Sequence, residues 1–214
     1  MPDTDLTTFR VMTIDICDQS FPKEWTNENR KICRDYVSQV MGPLLSVEVI
    51  RTEKSASVMY RVGRFLREDG KIRDSERILL QAVEINTEIL GDDHHDTLMT
   101  MDDLAMAYLG QGKTAEAGVT QEQVLEKSKR ILGDDHPSTL NSMHNLAATY
   151  RAQGKTAEAA VLEEQVLEES KRILGDHHPS TLATMNNLAP DRKFLLTSLN
   201  PASIALFTIE ATSR

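Results

Sequence analysis

"LGDDHPSTL" spans Leu132 to Leu140 and has two relatives in the chain, "LGDDHHDTL" from Leu90 and "LGDHHPSTL" from Leu174. Both steps between the starting positions are 42 residues, and the 42 residues from Leu90 match those from Leu132 at 28 positions. Self-similarity at a fixed period of this size is typical of repeat proteins. The stretch therefore indicates a joint between copies of a module.

Each copy predicts two helices, because its apolar residues recur three or four positions apart. They are Leu140, Met143, Leu146, Ala147 and Tyr150 in the first helix, and Ala159, Leu162, Val166 and Ile173 in the second. Pro137 suits a first helical turn, with Asp135 or His136 as the N-cap. Gly154 is expected to end the first helix and Gly175 the second.

The segments "DLAMAYLGQGKTAEA" and "NLAATYRAQGKTAEA" resemble tetratricopeptide repeats in their Leu-Ala, aromatic, Gly-Lys and Glu-Ala positions. The joint and the 42-residue period resemble the longer version found in kinesin light chains, and large fungal signalling ATPases carry similar repeats. The resemblance covers residues 56–189. It implies an all-α fold, a right-handed α-solenoid of antiparallel helix pairs with a concave groove for a partner.

Three divisions of the chain are expected. Residues 1–52 form a helical N-terminal cap, residues 53–189 hold three complete repeats and a truncated fourth, and residues 190–214 are an atypical tail. Pro190 falls where the family pattern would continue a helix, so a stop or kink is expected there. The apolar tail is open to two interpretations, an improvised cap or the mark of a truncated or misread longer protein, and the second is favoured.

The N-terminal part shows no repeat. The segment "KEWTNENRKICRDYVSQV" has a helical apolar period, and "MGP" at 41–43 is expected to break the chain. The preceding "FRVMTIDICDQSF" fits either a strand or a helix, and a helix is favoured because it could pair with the next one.

Composition limits the classes of partner. The formal net charge is −9 and the pI is about 5.2, so nucleic-acid phosphates and anionic membranes are repelled and neither is an expected partner. Cys17 and Cys33 have no metal or disulfide spacing, and the acidic N-terminus lacks the apolar segment of a secretory signal. A cytoplasmic location is the expectation.

The joints are rich in histidine and aspartate, residue types that can bind metal ions. Five of the six histidines lie in the joints, namely His94, His95, His136, His177 and His178. A metal site needs three or four convergent ligands, which no single joint supplies, so helix capping is the favoured interpretation and a metal protein the alternative. "GQGKT" at 110–114 lacks the earlier glycine of a phosphate-binding loop. No catalytic set stands out, so neither an enzyme nor a cofactor is predicted.

Candidate groove residues follow from the resemblance. In kinesin light chain-like repeats an asparagine just before Leu-Ala often faces the groove and can hold a peptide backbone. Asn145 and Asn187 match that position, whereas Asp103 and Arg61 depart from it. His144 and Arg151, on the same first helix as Asn145, complete the candidates in that repeat.

The first repeat adds a cluster of arginines. Arg61, Arg64 and Arg67 are three residues apart and share a helix face, with Arg61 and Arg64 expected to point into the groove. Guanidinium groups could bind carboxylates or phosphates of a partner through bidentate ion pairs. The alternative is pairing within the chain, to Glu68, Asp69 or Asp74.

The sequence thus predicts a protein–protein interaction module that binds a partner protein or peptide, with an acidic segment as one possibility. Two alternatives remain: a regulatory arm of a larger nucleotide-driven signalling protein, and a metal protein built on the joint histidines.

Overall fold

The computed structural model describes residues 3–23, 26, 28–46, 50–179 and 181–188, and within these ranges the regular structure is helical, without a strand. The helices are α1 (Asp3–Ser20), α2 (Arg30–Leu44), α3 (Glu53–Glu68), α4 (Ile72–Leu90), α5 (His95–Gly110), α6 (Thr114–Leu132), α7 (Pro137–Ala152) and α8 (Thr156–Leu174). Residues 181–188 are also helical, and we label them α9. None of the helices in these ranges has the length and apolar character needed to cross a membrane.

The helix boundaries reproduce the period of the sequence. The first helices of the pairs, α3, α5 and α7, begin 42 residues apart, and so do the second helices, α4, α6 and α8. The three complete repeats predicted are therefore three helix pairs, α3–α4, α5–α6 and α7–α8. The fourth repeat begins with α9, and Pro190 and the tail lie outside the described residues.

The chain forms two compact units, which we call unit 1 (Met1–Ile131) and unit 2 (Leu132–Arg214). The main core of unit 1 joins α1 and α2 to the α3–α4 pair, and Phe21 and Phe65 meet edge to face with ring centroids 5.7 Å apart. A smaller core in unit 2 joins Ala160 and Leu167 to Leu188 of α9. The proposed division into a cap, repeats and a tail remains a prediction.

The N-terminal region is helical, as favoured. In α2, Cys33, Val37 and Val40 are buried, whereas Trp25 lies outside the described residues. The expected break at 41–43 is wrong, because α2 continues through Pro43 to Leu44. The proline lies in the last turn of the helix, so little helix remains beyond it to be disrupted.

The turn inside each repeat is a Schellman motif, which explains the Gly-Lys of the pattern. Gly112 has φ 77°, and its N–H donates to the Leu109 carbonyl at 2.9 Å, while the Lys113 N–H donates to the Tyr108 carbonyl at 3.0 Å. Glycine takes this left-handed conformation without the steric cost of a Cβ. The Lys113 ammonium lies 5.4 Å from the centre of the Tyr108 ring, and the lysine and tyrosine of the next repeat are arranged in the same way at 4.9 Å.

The joints between repeats hold histidine caps. Nδ1 of His94 accepts from the Asp96 N–H at 3.2 Å, and Nδ1 of His136 accepts from the Ser138 N–H at 3.1 Å. Of the two N-cap candidates for α7, His136 is therefore the one observed. Asp135 instead pairs with Arg172 of α8, and this contact explains why an acidic residue stands in the joint.

Two helices of unit 1, α3 and α4, approach each other closely at Gly63. A Cβ built there would lie 2.5 Å from Cγ of Leu79, and the Ser75 hydroxyl donates to the Gly63 carbonyl at 2.8 Å. One and two periods later, Ala105 and Ala147 occupy the position of Gly63. There the residue facing them in register is an unbranched glutamine or glutamate rather than leucine.

We predict that Gly63→Ala destabilises the protein by about 1–3 kcal/mol, because the added methyl group overpacks against Leu79. In a Leu79→Ala background the same substitution should be neutral or stabilising by up to about 1 kcal/mol, because alanine favours helix over glycine. Urea unfolding followed by circular dichroism gives both differences. If Gly63→Ala is equally destabilising in both backgrounds, Leu79 is not the cause.

Candidate functional site

A groove in unit 2 lies among three helices and has a volume of about 340 Å³. Its lining residues come from α7, α8 and α9. They are Pro137, Leu140, Asn141 and His144 of α7, Val166, Ser170, Ile173 and Leu174 of α8, and Ala183, Thr184 and Asn187 of α9. The α7 residues are spaced three and four apart, so one face of that helix forms one wall of the groove.

The chemistry of this groove differs from that of the whole chain. None of its lining residues is Lys, Arg, Asp or Glu, although such residues make up 27% of the sequence. Ile173 and Leu174 are exposed at 46% and 45% of their surface, although Ile173 continues the apolar stripe of α8. The groove is thus an open apolar surface edged by the amides of Asn141 and Asn187 and by the imidazole of His144.

Of the four candidate partner-binding residues in unit 2, two line the groove and two do not. His144 and Asn187 line the groove, one from α7 and one from α9. Asn145 is half-buried, engaged in a contact of its own and not part of the lining. Arg151 lies further along α7 and binds α8.

The residue that binds Arg151 is Glu163, a fully buried carboxylate that the sequence analysis missed. Its Oε1 accepts from Nη2 of Arg151 at 2.6 Å and lies 3.0 Å from Nδ1 of His144. The side chain of His144 is 36% exposed and that of Glu163 is 0% exposed. The three side chains form a cluster that links the groove wall to the interior of unit 2.

Register comparison was the signal that could have revealed this cluster. Glu163 occupies the position that is Gln121 one repeat earlier and Leu79 in the first repeat, and all three are buried. The positions of His144 and Arg151 change as well, from Asp102 and Leu109 in the second repeat. A glutamate at a position that is otherwise uncharged, together with a new arginine, predicts a buried ion pair.

The arginines of unit 1 bind the chain itself. Arg61 is 8% exposed, and it donates to the Phe21 carbonyl at 2.9 Å and pairs with Asp18. The expectation that Arg61 points into a groove is therefore wrong. Its long polar side chain is drawn inward because the end of α1 supplies both a carbonyl and a carboxylate.

Arg64, Arg67 and Asp103 come together, with partners other than the expected Glu68, Asp69 and Asp74. Nη2 of Arg67 lies 2.9 Å from Oδ1 of Asp103, and Nε of Arg64 lies 3.6 Å from Oδ2. Burial raises the pKa of the nearby Tyr60, and the Asp103 carboxylate raises it further, so this phenol stays protonated. The side chain of Arg64 is 40% exposed and that of Arg67 is 23% exposed.

The histidine joints and the Gly-Lys turns were the remaining candidates for a metal site or a phosphate-binding loop. Across the described ranges, no three His, Cys, Asp or Glu side chains lie close enough to hold a metal ion. The glycine and lysine of "GQGKT" belong to the Schellman turn between α5 and α6, and no strand precedes them.

Comparison with known proteins agrees with this repeat geometry. Profiles described as tetratricopeptide repeat match residues 54–126 and 139–180, which together make up more than half of the chain. The chain belongs to the tetratricopeptide repeat family. Among functionally curated proteins, none matches it significantly.

Solved structures extend the comparison to kinesin light chain-like repeats. Two crystal structures of a kinesin light chain-like protein from Podosopora anserina with nearly identical TPR-like repeats, one of them a point variant, have TM-scores of 0.64 and 0.62. Each is 26% identical, and each alignment covers 86% of this chain and 92% of the other. BtubC (BKLC) from P. vanneervenii, at 16% identity over 78% of this chain and 66% of its own, shares the fold with a TM-score of 0.64.

These matches confirm the kinesin light chain-like resemblance and the all-α fold of the solenoid class, built from helix pairs. Tetratricopeptide repeats form protein–protein interaction modules, and this chain is such a module. The family pattern does not specify Glu163, since the position varies between repeats of the chain itself.

We predict that Arg151→Leu lowers the free energy of unfolding by about 3–5 kcal/mol, because it removes the guanidinium from a buried carboxylate. The triple variant His144→Asp, Arg151→Leu, Glu163→Gln installs the residues of the second repeat and should recover most of that loss. Arg172→Leu is the matched control on α8: its ion pairs are exposed to solvent, so we expect little change in the free energy of unfolding. Equal effects of Arg151→Leu and Arg172→Leu in urea unfolding would contradict the role of the buried pair.

Proposed function

We propose that the protein is a non-catalytic binding module and that the groove of unit 2 takes an extended or helical segment of a partner protein. The observation that carries the proposal is the lining of that groove. Exposed apolar side chains are gathered there between two asparagine amides, with no charged aspartate, glutamate, lysine or arginine among them. Such a surface recovers hydrophobic free energy when an apolar segment covers it.

The amides suit a peptide backbone. Each asparagine side chain offers one carbonyl acceptor and an NH₂ donor, the complement of a backbone N–H and C=O. Asn187 is exposed and lines the groove from α9, so its amide can bind the backbone of a segment there. Asn141 lines the groove from α7 and, like Asn145, already has a contact within the chain. The apolar residues would then supply affinity and the amides orientation.

A preference for acidic segments is a separate part of the proposal, and it rests on Arg64. Of the three arginines, Arg64 has the most exposed side chain and the longest ion pair to Asp103. A partner carboxylate could therefore approach its guanidinium from solvent. Arg61 and Arg67 are proposed to act in the fold.

We place this function in the cytoplasm. Cys17 and Cys33 are free and buried, and burial raises the pKa of both thiols. Unpaired, unreactive thiols suit a reducing compartment.

To test the groove, peptides are selected from a random display library on the purified full chain. Ile173→Glu should weaken the selected peptides at least about tenfold, because it places a charge on the apolar floor. Val161→Glu is the matched control, since Val161 is 55% exposed on the same helix and outside the lining. Asn187→Ala should cost several-fold, whereas Asn186→Ala, its exposed neighbour outside the lining, should not.

Binding that survives Ile173→Glu unchanged, with both glutamate variants folded by circular dichroism, would show that peptides bind elsewhere. The acidic preference is tested separately with Arg64→Glu. Arg77→Glu is its charge-matched control, because the side chain of Arg77 is 65% exposed and pairs only locally with Asp74 among the ion pairs within the described ranges.

A further inference from the structure

The cluster of His144, Arg151 and Glu163 fixes more than the packing of unit 2, because one of its members also lines the groove. His144 and Arg151 are seven residues apart on α7 and reach the same oxygen of Glu163 on α8. Glu163 itself is fully buried and does not line the groove. His144 therefore belongs both to the cluster with Glu163 and to the lining of the groove.

The contact with Glu163 determines where the imidazole carries its proton. A carboxylate oxygen only accepts hydrogen bonds, so the Nδ1 atom 3.0 Å away must donate its N–H. Arg151 already supplies one positive charge for the one buried negative charge. A neutral imidazole that keeps this contact therefore carries its one proton on Nδ1.

The Nε2 atom is left with a lone pair. It lies on the ring edge opposite Nδ1, and His144 is the imidazole in the groove lining. The joint histidines are the reverse case, because Nδ1 of His94 and of His136 accepts a backbone N–H. When neutral, those two rings carry their proton on Nε2.

We infer that His144 is a specificity-determining residue of the groove and that Glu163 is its positioning residue. Nε2 of His144 accepts a hydrogen bond from an uncharged donor of the bound segment, an amide N–H or a hydroxyl. A partner carboxylate at the same place would meet a lone pair and be disfavoured. This inference rests on the proposed function of the groove and names the chemistry that it selects.

The tautomer can be measured without a partner. Long-range proton–nitrogen correlation spectra of the ¹⁵N-labelled full chain at neutral to slightly alkaline pH distinguish Nδ1–H from Nε2–H rings, and His144→Gln identifies the signal. We expect Nδ1–H for His144, and Nε2–H for His94 and His136 in the same spectrum. An Nε2–H ring at His144, or a mixture like that of a solvent-exposed histidine, would overturn the assignment.

The selectivity is measured with pairs of selected peptides that differ only by Asn or Asp at the residue facing His144. The full chain should prefer the amide by about tenfold. Glu163→Gln can present an N–H to Nδ1, which moves the ring proton to Nε2, so the preference should shrink or reverse. A ratio of two affinities is insensitive to partial unfolding, so a purely structural role of Glu163 would leave it unchanged and refute the inference.

The outcomes separate the two proposals. Peptides that respond to Ile173→Glu but not to His144→Ala would refute the inference and leave the groove as the binding site. Peptides that respond to neither would refute the proposed function. If Glu163→Gln fails to fold, the tautomer spectrum of His144 and the comparison with His144→Ala decide the inference without it.

Discussion

Each helix of the repeats must end at a fixed place, and the rest of the structure depends on that constraint. A glycine with positive φ follows the end of each of these helices, and the glycines fall 21 residues apart, at positions 70, 91, 112, 133, 154 and 175. The first helices of the pairs are all 16 residues long and the second helices are all 19. Because these lengths repeat, a residue and its counterpart 42 positions later occupy equivalent positions in successive copies.

Constant register allows the interior to vary without changing the backbone. At one buried position the chain carries Leu79, Gln121 and Glu163 in successive repeats. Its neighbours change with it, since glycine faces the branched leucine whereas alanine faces the unbranched side chains. The third repeat therefore has a buried carboxylate, Glu163, that pairs with Arg151. The same carboxylate contacts the imidazole of His144 on the groove face.

Much of the fold could be predicted because the repeat period and the residues that begin and end each helix are local properties of the sequence. The boundaries of α7 and α8 follow from Pro137, Gly154 and Gly175, and the histidine caps from the residues before the first turn. The prediction was less successful where an apolar residue had no fixed neighbour. Ile173 continues the apolar stripe of α8 but is exposed. A helical period predicts which residues share a face of the helix, and it does not predict which part of that face packs against another element.

The candidate site was harder to predict, because charged side chains reach across elements that are distant in sequence. Arg61 bonds to Asp18, 43 residues earlier, and Arg67 to Asp103, 36 residues later. Sequence reasoning offered only the nearby acidic residues 68, 69 and 74 as partners within the chain. Glu163 was missed for the opposite reason, since a glutamate in an acidic helix is usually solvated. Only the comparison of equivalent positions indicates that this one is inside.

The distribution of charge also bears on what the groove selects. The chain carries a net −9, so an acidic segment is repelled at long range before any contact forms. A groove without aspartate, glutamate, lysine or arginine offers no local attraction to offset that repulsion. An uncharged apolar segment is not repelled by the net charge and needs no charged partner in the groove. Its affinity would come from the apolar area that it buries and from hydrogen bonds to the asparagine amides and the His144 imidazole. In the unit 2 groove, selection against a carboxylate would therefore arise twice, from the field of the whole chain and from the proposed lone pair of His144. The proposed acidic preference depends instead on Arg64 of unit 1, whose exposed guanidinium supplies the local attraction that this groove lacks.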